Sequence, residues 1–172
     1  MILAFDTYYY EHRAKTVCLA FEQWSAPSAA YVLAEVRDGI EEYVPGEFYR
    51  RELPCILSLL KQIDLQTVEA IIVDGFVYLD DENRPGLGAH LYRSLNDKIP
   101  VVGVAKTNFA TIERNKRAVI RGKSERPLYV TAIGLDLDQA AEWVTRMSGP
   151  HRIPDLLKQL DQLTKENETA IG

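Results

Sequence analysis

The chain of 172 residues is 47% hydrophobic and 26% charged, which is the composition of a globular protein and not of a disordered one. Its length is near that of one domain and allows a substantial core without disulfides, so we expect a single domain over residues 1–172. The formal net charge of −5 disfavours a protein that coats nucleic acid with its whole surface, because phosphate binding depends on lysine and arginine.

Residues 1–8, 16–22 and 30–37 are short segments rich in β-branched or aromatic residues, and polar stretches separate them. This pattern predicts three successive antiparallel strands. Asp6 lies in the otherwise apolar first strand, where a buried carboxylate is costly unless it is paired or binds a cation. Asp6 is therefore a candidate ligand, and the alternative is that it ends the strand and faces water.

Apolar residues at helical spacing follow the turn of residues 43–46 and continue from Leu53 to Ile63. Pro54 fits the first turn of this helix, where a proline removes no needed donor. Glu52 then lies at the start of the helix, a position that favours acidic residues for structural reasons alone.

Two unbroken apolar runs, residues 68–74 and 99–105, predict central strands that are covered on both faces. A predicted helix over 87–95 connects them as a crossover, which makes the two strands parallel. Asp74 ends the first strand, and Lys106 follows the second.

Ligands of open α/β sheets bind beyond the carboxyl ends of the strands, where Asp6 and Asp74 are expected. Hard cations such as Mg²⁺ are bound by carboxylates together with substrate phosphates. With Glu52, these aspartates therefore predict a divalent-metal site. Lys106 alone would be a solvated strand end, but beside a metal-bound phosphate it could stabilise anionic charge.

The C-terminal third predicts a hairpin of strands 117–121 and 127–133, followed by helices over 137–147 and 154–165. One cationic concentration lies between residues 114 and 126, and we expect it to bind nucleic acid. Its candidate contact residues are Arg114, Lys116, Arg117, Arg121 and Lys123.

The start of the chain lacks a basic region, and nowhere does the sequence approach the roughly 20 apolar residues of a membrane span. The only two cysteines, Cys18 and Cys55, lie in apolar runs, as is typical of buried free thiols. We expect a cytoplasmic protein with no disulfide, no membrane association and no obligate protein partner. The three histidines are expected to be structural: His12, His90 and His151.

Seven sequence elements, in order and at similar spacing over nearly the whole chain, resemble the endonuclease V family. They are Asp6, the YVPG turn with Arg51-Glu52, VDG at 73–75, GLGAHL at 86–91, GVAKT at 103–107, PLYV at 127–130 and HRIPD at 151–155. The resemblance implies an α/β fold of the ribonuclease H-like type: a mixed sheet of three antiparallel strands followed by parallel strands, flanked by helices.

The resemblance also implies an endonuclease that uses Mg²⁺ or Mn²⁺ to hydrolyse a phosphodiester 3′ to a deaminated base, chiefly inosine, in DNA or RNA. Asp6 and Asp74 would be direct metal ligands, and Glu52 would complete the acidic cluster. Asp161 matches a fourth position on the C-terminal helix. The remaining implied roles are Lys106, which stabilises the phosphate, and Tyr43, the aromatic wedge that fills the gap left by a displaced base.

Several segments depart from the family pattern, among them residues 134–136, where Gly-Leu-Asp replaces the family's Gly-His. The acidic residues 80–82 stand where the family has a His-Pro-Arg-Gly-like element, and we expect this loop to repel DNA. The aromatic segment 76–78 could line a different base pocket. One alternative is therefore a nucleic-acid-binding relative with weak or no turnover, and another is an interaction domain whose carboxylates are structural.

Overall fold

The computed structural model describes residues 1–40, 42, 44–45, 49–109 and 111–166, and its elements follow the predicted order. The strands are β1 (Ile2–Tyr10), β2 (Arg13–Phe21), β3 (Tyr31–Asp38), β4 (Ala70–Asp74), β5 (Val101–Ala105), β6 (Arg117–Val119) and β7 (Leu128–Ile133). The helices are α1 (Tyr49–Leu60), α2 (Leu87–Ser94), α3 (Leu137–Thr145) and α4 (Asp155–Lys165), with a short 3₁₀ turn at Leu65–Thr67.

All seven strands form one mixed sheet in the order β3-β2-β1-β4-β5-β7-β6. β1, β2 and β3 make the predicted antiparallel meander, whereas β4 pairs in parallel with both β1 and β5. β7 then returns antiparallel to β5, and β6 antiparallel to β7. The predicted sheet of antiparallel strands followed by parallel strands is confirmed.

The two faces of the sheet are covered by different helix pairs. Ile2 and Ala4 of β1 pack in one cluster with residues of α3 and α4, whereas Leu3 and Phe5 pack in a second cluster with residues of α1 and α2. Successive side chains of a strand point to opposite faces. The alternation in β1 therefore directs Asp6 towards the side of the sheet that α4 covers.

α1 begins before the predicted helix, and this changes the place of Pro54. The proline is the sixth residue of α1 and lies inside the helix, so the prediction that it occupies the first turn is wrong. A proline there cannot donate to the carbonyl of Arg50. Glu52, by contrast, does lie in the first turn, as predicted.

The β6–β7 hairpin is looser than predicted, since both strands are shorter and residues 120–127 form the connection. Gly122 has a φ of +62°, and a Cβ at this position would lie 2.3 Å from the carbonyl oxygen of Pro150. Only glycine allows this close approach. The connection therefore packs against the segment between α3 and α4.

Cys18 and Cys55 are both free and buried, as predicted. No helix in the described ranges is long and apolar enough to cross a membrane.

Candidate active site

Asp6 and Asp74 are neighbours because of the register between β1 and β4. Phe5 is paired with Val73, so the next residue of each strand is an aspartate. Adjacent strands lie about 4.8 Å apart, and equivalent residues of parallel neighbours point the same way. Both carboxylates line one cavity together with Lys106. The structure thus brings together two predicted metal ligands and the predicted phosphate-binding lysine.

Glu52 reaches the same centre from α1. Its side chain is only 3% exposed, and its Oε2 atom is buried with no hydrogen-bond partner. Burial raises the pKa of Glu52 well above its usual value, and the negative charges of Asp74 and Asp6 add to this effect. A buried carboxylate oxygen without a partner is costly, which makes this atom a strong candidate for binding a cation.

The two aspartates are held in the same unfavourable electrostatic environment. Burial and the neighbouring Asp74 raise the pKa of Asp6 to about 7, although its carboxylate accepts a hydrogen bond from the Thr7 amide at 2.9 Å. Burial also raises the pKa of Asp74, against the opposing effect of Lys106. Burial and mutual repulsion therefore raise the pKa of all three acidic groups, and the nearby Lys106 and Arg51 offset only part of this effect.

Asp161 joins this cluster from α4. Its negative charge raises the pKa of both Asp6 and Asp74, which places it within electrostatic reach of the two strand ends. Lys165, one helical turn later, donates to the Asp161 carboxylate at 3.1 Å. α4 packs against β1, which brings this acidic group near the end of the strand that carries Asp6.

The donor atoms fit a hard divalent cation. In the described part of the chain, no three His, Cys, Asp or Glu side chains are already arranged to hold a metal ion. The buried, unpartnered Oε2 of Glu52 and the repelling pair Asp6 and Asp74 nevertheless supply the all-oxygen set that Mg²⁺ or Mn²⁺ requires. These three residues are the ones that would hold the ion.

Two supporting residues were missed by the sequence analysis. The guanidinium of Arg51 stacks 3.7 Å above the ring centroid of Tyr9, beside Glu52. Burial raises the pKa of Tyr9, and the charge of Glu52 adds to the shift, so the phenol stays neutral. Tyr9 faces the α1 side of β1, and only the strand alternation could have indicated it.

Arg152 is a second residue that the sequence analysis passed over. Its guanidinium donates to the backbone carbonyls of Lys106 at 2.5 Å, Pro127 at 2.9 Å and Arg126 at 3.0 Å. These bonds fix the chain at the base of the Lys106 side chain. The HRIPD motif contains Arg152, but the sequence alone gave no partner for it.

Arg121 was predicted to contact nucleic acid, and the structure corrects this. Its side chain is 5% exposed. The guanidinium donates to backbone carbonyls in the segment that joins α3 to α4, including those of Met147 at 2.5 Å and His151 at 2.8 Å. A buried arginine that satisfies a loop in this way is a structural residue and has no exposed donor for a phosphate.

The other basic residues lie nearer the surface. Arg117 pairs with Asp138 at 2.6 Å, and the Lys116 ammonium donates to Asn108 and lies 5.4 Å from the ring centroid of Tyr129. Arg114 and Lys123 are exposed. Their predicted contact with nucleic acid stays a prediction. Tyr43, the predicted wedge, falls outside the described residues.

The aspartates of the acidic loop after β4 accept hydrogen bonds from amides of the loop itself and of residues 113–115. The Asp81 carboxylate accepts hydrogen bonds from the amides of Glu113, Arg114 and Asn115 at 2.9–3.2 Å. These bonds outweigh desolvation and lower the pKa of Asp81. Asp80 accepts from the amides of Glu82 and Arg84. Asp81 therefore joins two loops, and the expected repulsion of DNA by residues 80–82 stays a prediction.

The histidines make structural contacts where the structure describes them. His90 stacks on Tyr49 with ring centroids 3.7 Å apart, which joins α2 to α1, and burial lowers its pKa. The carbonyl of His12 accepts from the Ile40 amide, and that of His151 from Arg121.

Solved structures share this fold. Endonuclease V of Ciona intestinalis, in complex with a 24mer DNA containing an inosine followed by a ribo-adenosine, superimposes with a TM-score of 0.79 at 20% identity and covers 99% of this chain and 87% of its own. The catalytic domain of human endonuclease V gives 0.74 at 22% identity, with coverages of 95% and 80%. The likeness shows the predicted ribonuclease H-like fold.

Sequence comparison gives the family itself. Endonuclease V of Alkalilimnicola ehrlichii is 29% identical over 175 residues, which cover 90% of this chain and 75% of that protein. Endonuclease V of Gloeobacter violaceus is 31% identical over 137 residues, which cover 68% of this chain but only 54% of that protein. The model of the family described as endonuclease V matches residues 1–162. The chain therefore belongs to the endonuclease V family.

Proposed function

We propose that this protein is a Mg²⁺- or Mn²⁺-dependent endonuclease that hydrolyses a phosphodiester 3′ to a deaminated base, chiefly inosine, in DNA or RNA. It would act in nucleic-acid repair or processing in the cytoplasm, a reducing compartment that suits its two free thiols. The single observation that carries the proposal is the electrostatic coupling of Glu52 to Asp6 and Asp74, together with the burial of its Oε2 atom without a hydrogen-bond partner.

Asp6, Asp74 and Glu52 would hold the metal, with Asp161 as an additional acidic group at its edge. When bound, the ion would supply positive charge for the attacked phosphate and make a water more acidic. Lys106 lines the same cavity and would pair with a phosphate oxygen, because its ammonium faces the two aspartates from the neighbouring strand. Arg152 holds the backbone from which Lys106 projects.

Nucleic acid as the substrate is supported by the family and by the Ciona intestinalis relative, which is in complex with inosine-containing DNA. The basic residues between β5 and β7 would contribute phosphate contacts on one side of the site. Those that we retain for this role are Arg114, Lys116, Arg117 and Lys123. This role predicts binding that weakens as salt is added.

A cleavage assay tests the proposal. Purified protein is incubated with end-labelled DNA and RNA strands, each with one inosine, in Mg²⁺, in Mn²⁺ and in EDTA. We expect one cleavage site 3′ to the inosine, strictly dependent on metal and lost in Asp74→Asn. The matched control is Asp64→Asn, which changes an exposed aspartate that does not line the cavity. Cleavage that persists in Asp74→Asn or in EDTA would contradict the proposal.

The second candidate is a family member that binds nucleic acid without turnover. It is favoured by one observation, that no three metal-binding side chains of the described residues are already arranged around an ion. Calorimetric titration with Mn²⁺ separates the two. Metal binding that is lost in Asp6→Asn, together with cleavage, supports the nuclease. Salt-dependent binding of nucleic acid without metal uptake or product supports the second candidate.

A further inference from the structure

We propose that Tyr8 and Tyr10 form an aromatic platform that stacks nucleobases of a single strand next to the site. The inference rests on the proposed function, because its ligand is the strand whose phosphate the acidic cluster would bind. No role in the proposed reaction requires either tyrosine. The platform is defined as the two rings of Tyr8 and Tyr10.

The first step is the position of the two rings. β1 continues four residues beyond Asp6, and side chains of a strand alternate between its faces. Tyr8 and Tyr10 therefore lie on the same face as Asp6, in a line that leads away from the carboxylate. Their ring centroids are 6.4 Å apart with planes inclined by 27°, so they present nearly parallel surfaces.

The second step is exposure. Tyr8 is 42% exposed, and it lies in the part of β1 beyond the described pairing with β4. An aromatic residue there would normally be covered by a helix, yet α4 ends beside it at Lys165. The ring is therefore available to a ligand that can cover an apolar surface.

The third step is charge. The Lys165 ammonium lies 6.0 Å from the ring centroid of Tyr8 and 3.1 Å from the Asp161 carboxylate. One cation thus connects the platform to the acidic cluster. Aromatic rings with a neighbouring cation are the chemistry that binds single-stranded nucleic acid without reading its sequence, since the bases stack and the phosphates pair with the charge.

The fourth step is continuity. A strand held at the metal site by its phosphate passes directly over the platform if it follows β1 outwards. Stacking of unpaired bases there would hold the strand near the cluster independently of the base that is cleaved. We therefore expect the platform to contribute affinity for both DNA and RNA, because every base has a π-face.

The test compares an intact single strand with a matched strand that carries abasic sites. Binding of fluorescein-labelled strands, DNA and RNA in separate arms, is followed by anisotropy in EDTA at fixed salt. We expect the wild type to bind the intact strand roughly tenfold more tightly than the abasic strand, and Tyr8→Ala/Tyr10→Ala to lose this preference. Tyr8→Phe/Tyr10→Phe should retain it.

Tyr31→Ala is the matched control, since Tyr31 is 38% exposed but belongs to the edge strand β3. It should bind both strands like the wild type. If the double alanine variant does not fold, as judged by circular dichroism, the single variant Tyr8→Ala carries the same comparison. The wild-type preference for the intact strand is measured in either case.

An unchanged affinity of the alanine variant, or an equal loss for the intact and abasic strands, would overturn the inference. Cleavage is measured separately with Mg²⁺. A wild type that cleaves inosine-containing strands but shows no preference over abasic strands refutes the platform alone. A wild type that prefers intact strands but never cleaves refutes the proposed function and leaves the platform standing.

Discussion

Replacing Asp6 with asparagine tests the electrostatic description of the site, because it removes one charge and preserves the side-chain shape. The pKa of Asp6 rises from 3.8 to about 7 through burial and the charge of Asp74. A shift of about 3 units, at about 1.4 kcal/mol each, corresponds to about 4 kcal/mol of the free energy of unfolding. Asparagine weakens the hydrogen bond from Thr7, so we expect a net stabilisation of about 1–3 kcal/mol at about pH 8 without metal.

The sign of the pH dependence follows from the proton balance. The folded protein keeps the Asp6 proton up to about pH 7, whereas the unfolded chain releases it near pH 3.8. Between these values the folded state binds more protons, so wild-type stability falls as pH rises. Asp6→Asn has no carboxyl proton to release, so its free energy of unfolding does not fall for this reason. Below about pH 3.8 both forms of Asp6 are neutral, and the stabilisation should disappear.

Urea unfolding in EDTA, followed by circular dichroism at about pH 4 and about pH 8, measures the effect. Glu69→Gln is the matched control, since Glu69 is exposed, and it should change stability by less than about 0.5 kcal/mol. Added Mn²⁺ should stabilise the wild type and not Asp6→Asn. An asparagine variant that is no more stable than the wild type at the higher pH would refute the reasoning.

Three further predictions concern other parts of the molecule. Arg121→Ala should lower the free energy of unfolding by roughly 3–5 kcal/mol because several buried carbonyls lose their donor, whereas exposed Arg126→Ala should have little effect in the same urea titration. Asp81→Ala should speed tryptic cleavage at Arg114, because the amides of this loop lose their hydrogen bonds to the Asp81 carboxylate. A cleavage rate that is the same in both proteins would contradict this role of Asp81. Lys106→Met should reduce kcat by roughly 10²–10³-fold and leave Mn²⁺ binding measurable by calorimetry, so an unchanged kcat would exclude its role at the phosphate.

The sequence could predict that Asp6 and Asp74 lie side by side, because side chains alternate along a strand and parallel strands end at the same edge of a sheet. Asp6 and Asp74 end apolar runs whose register makes them neighbours, and both facts follow from local pattern plus a parallel crossover. The depth of Glu52 could not be predicted in this way. Its burial depends on how α1 packs against the sheet, which no local spacing encodes.

Arg121 shows the opposite failure. In the sequence it belongs to a cationic run, and charge density alone assigns it to the surface. In the fold, the connection between α3 and α4 is a loop whose carbonyls need donors, and Arg121 is the side chain that reaches them. The hydrogen bonds of Asp81 could not be predicted for the same reason, since its partners are amides more than 30 residues later.

The register between β1 and β4 has one more consequence. The described pairing of these strands ends at Phe5 and Val73, whereas β1 stays paired with β2 as far as Tyr10. Beside Asp6, β1 therefore loses its neighbour on the β4 side and keeps only β2. The Thr7 amide donates a hydrogen bond to the Asp6 carboxylate. In the proposed function, this open side of β1 is where a polynucleotide backbone would approach the main chain.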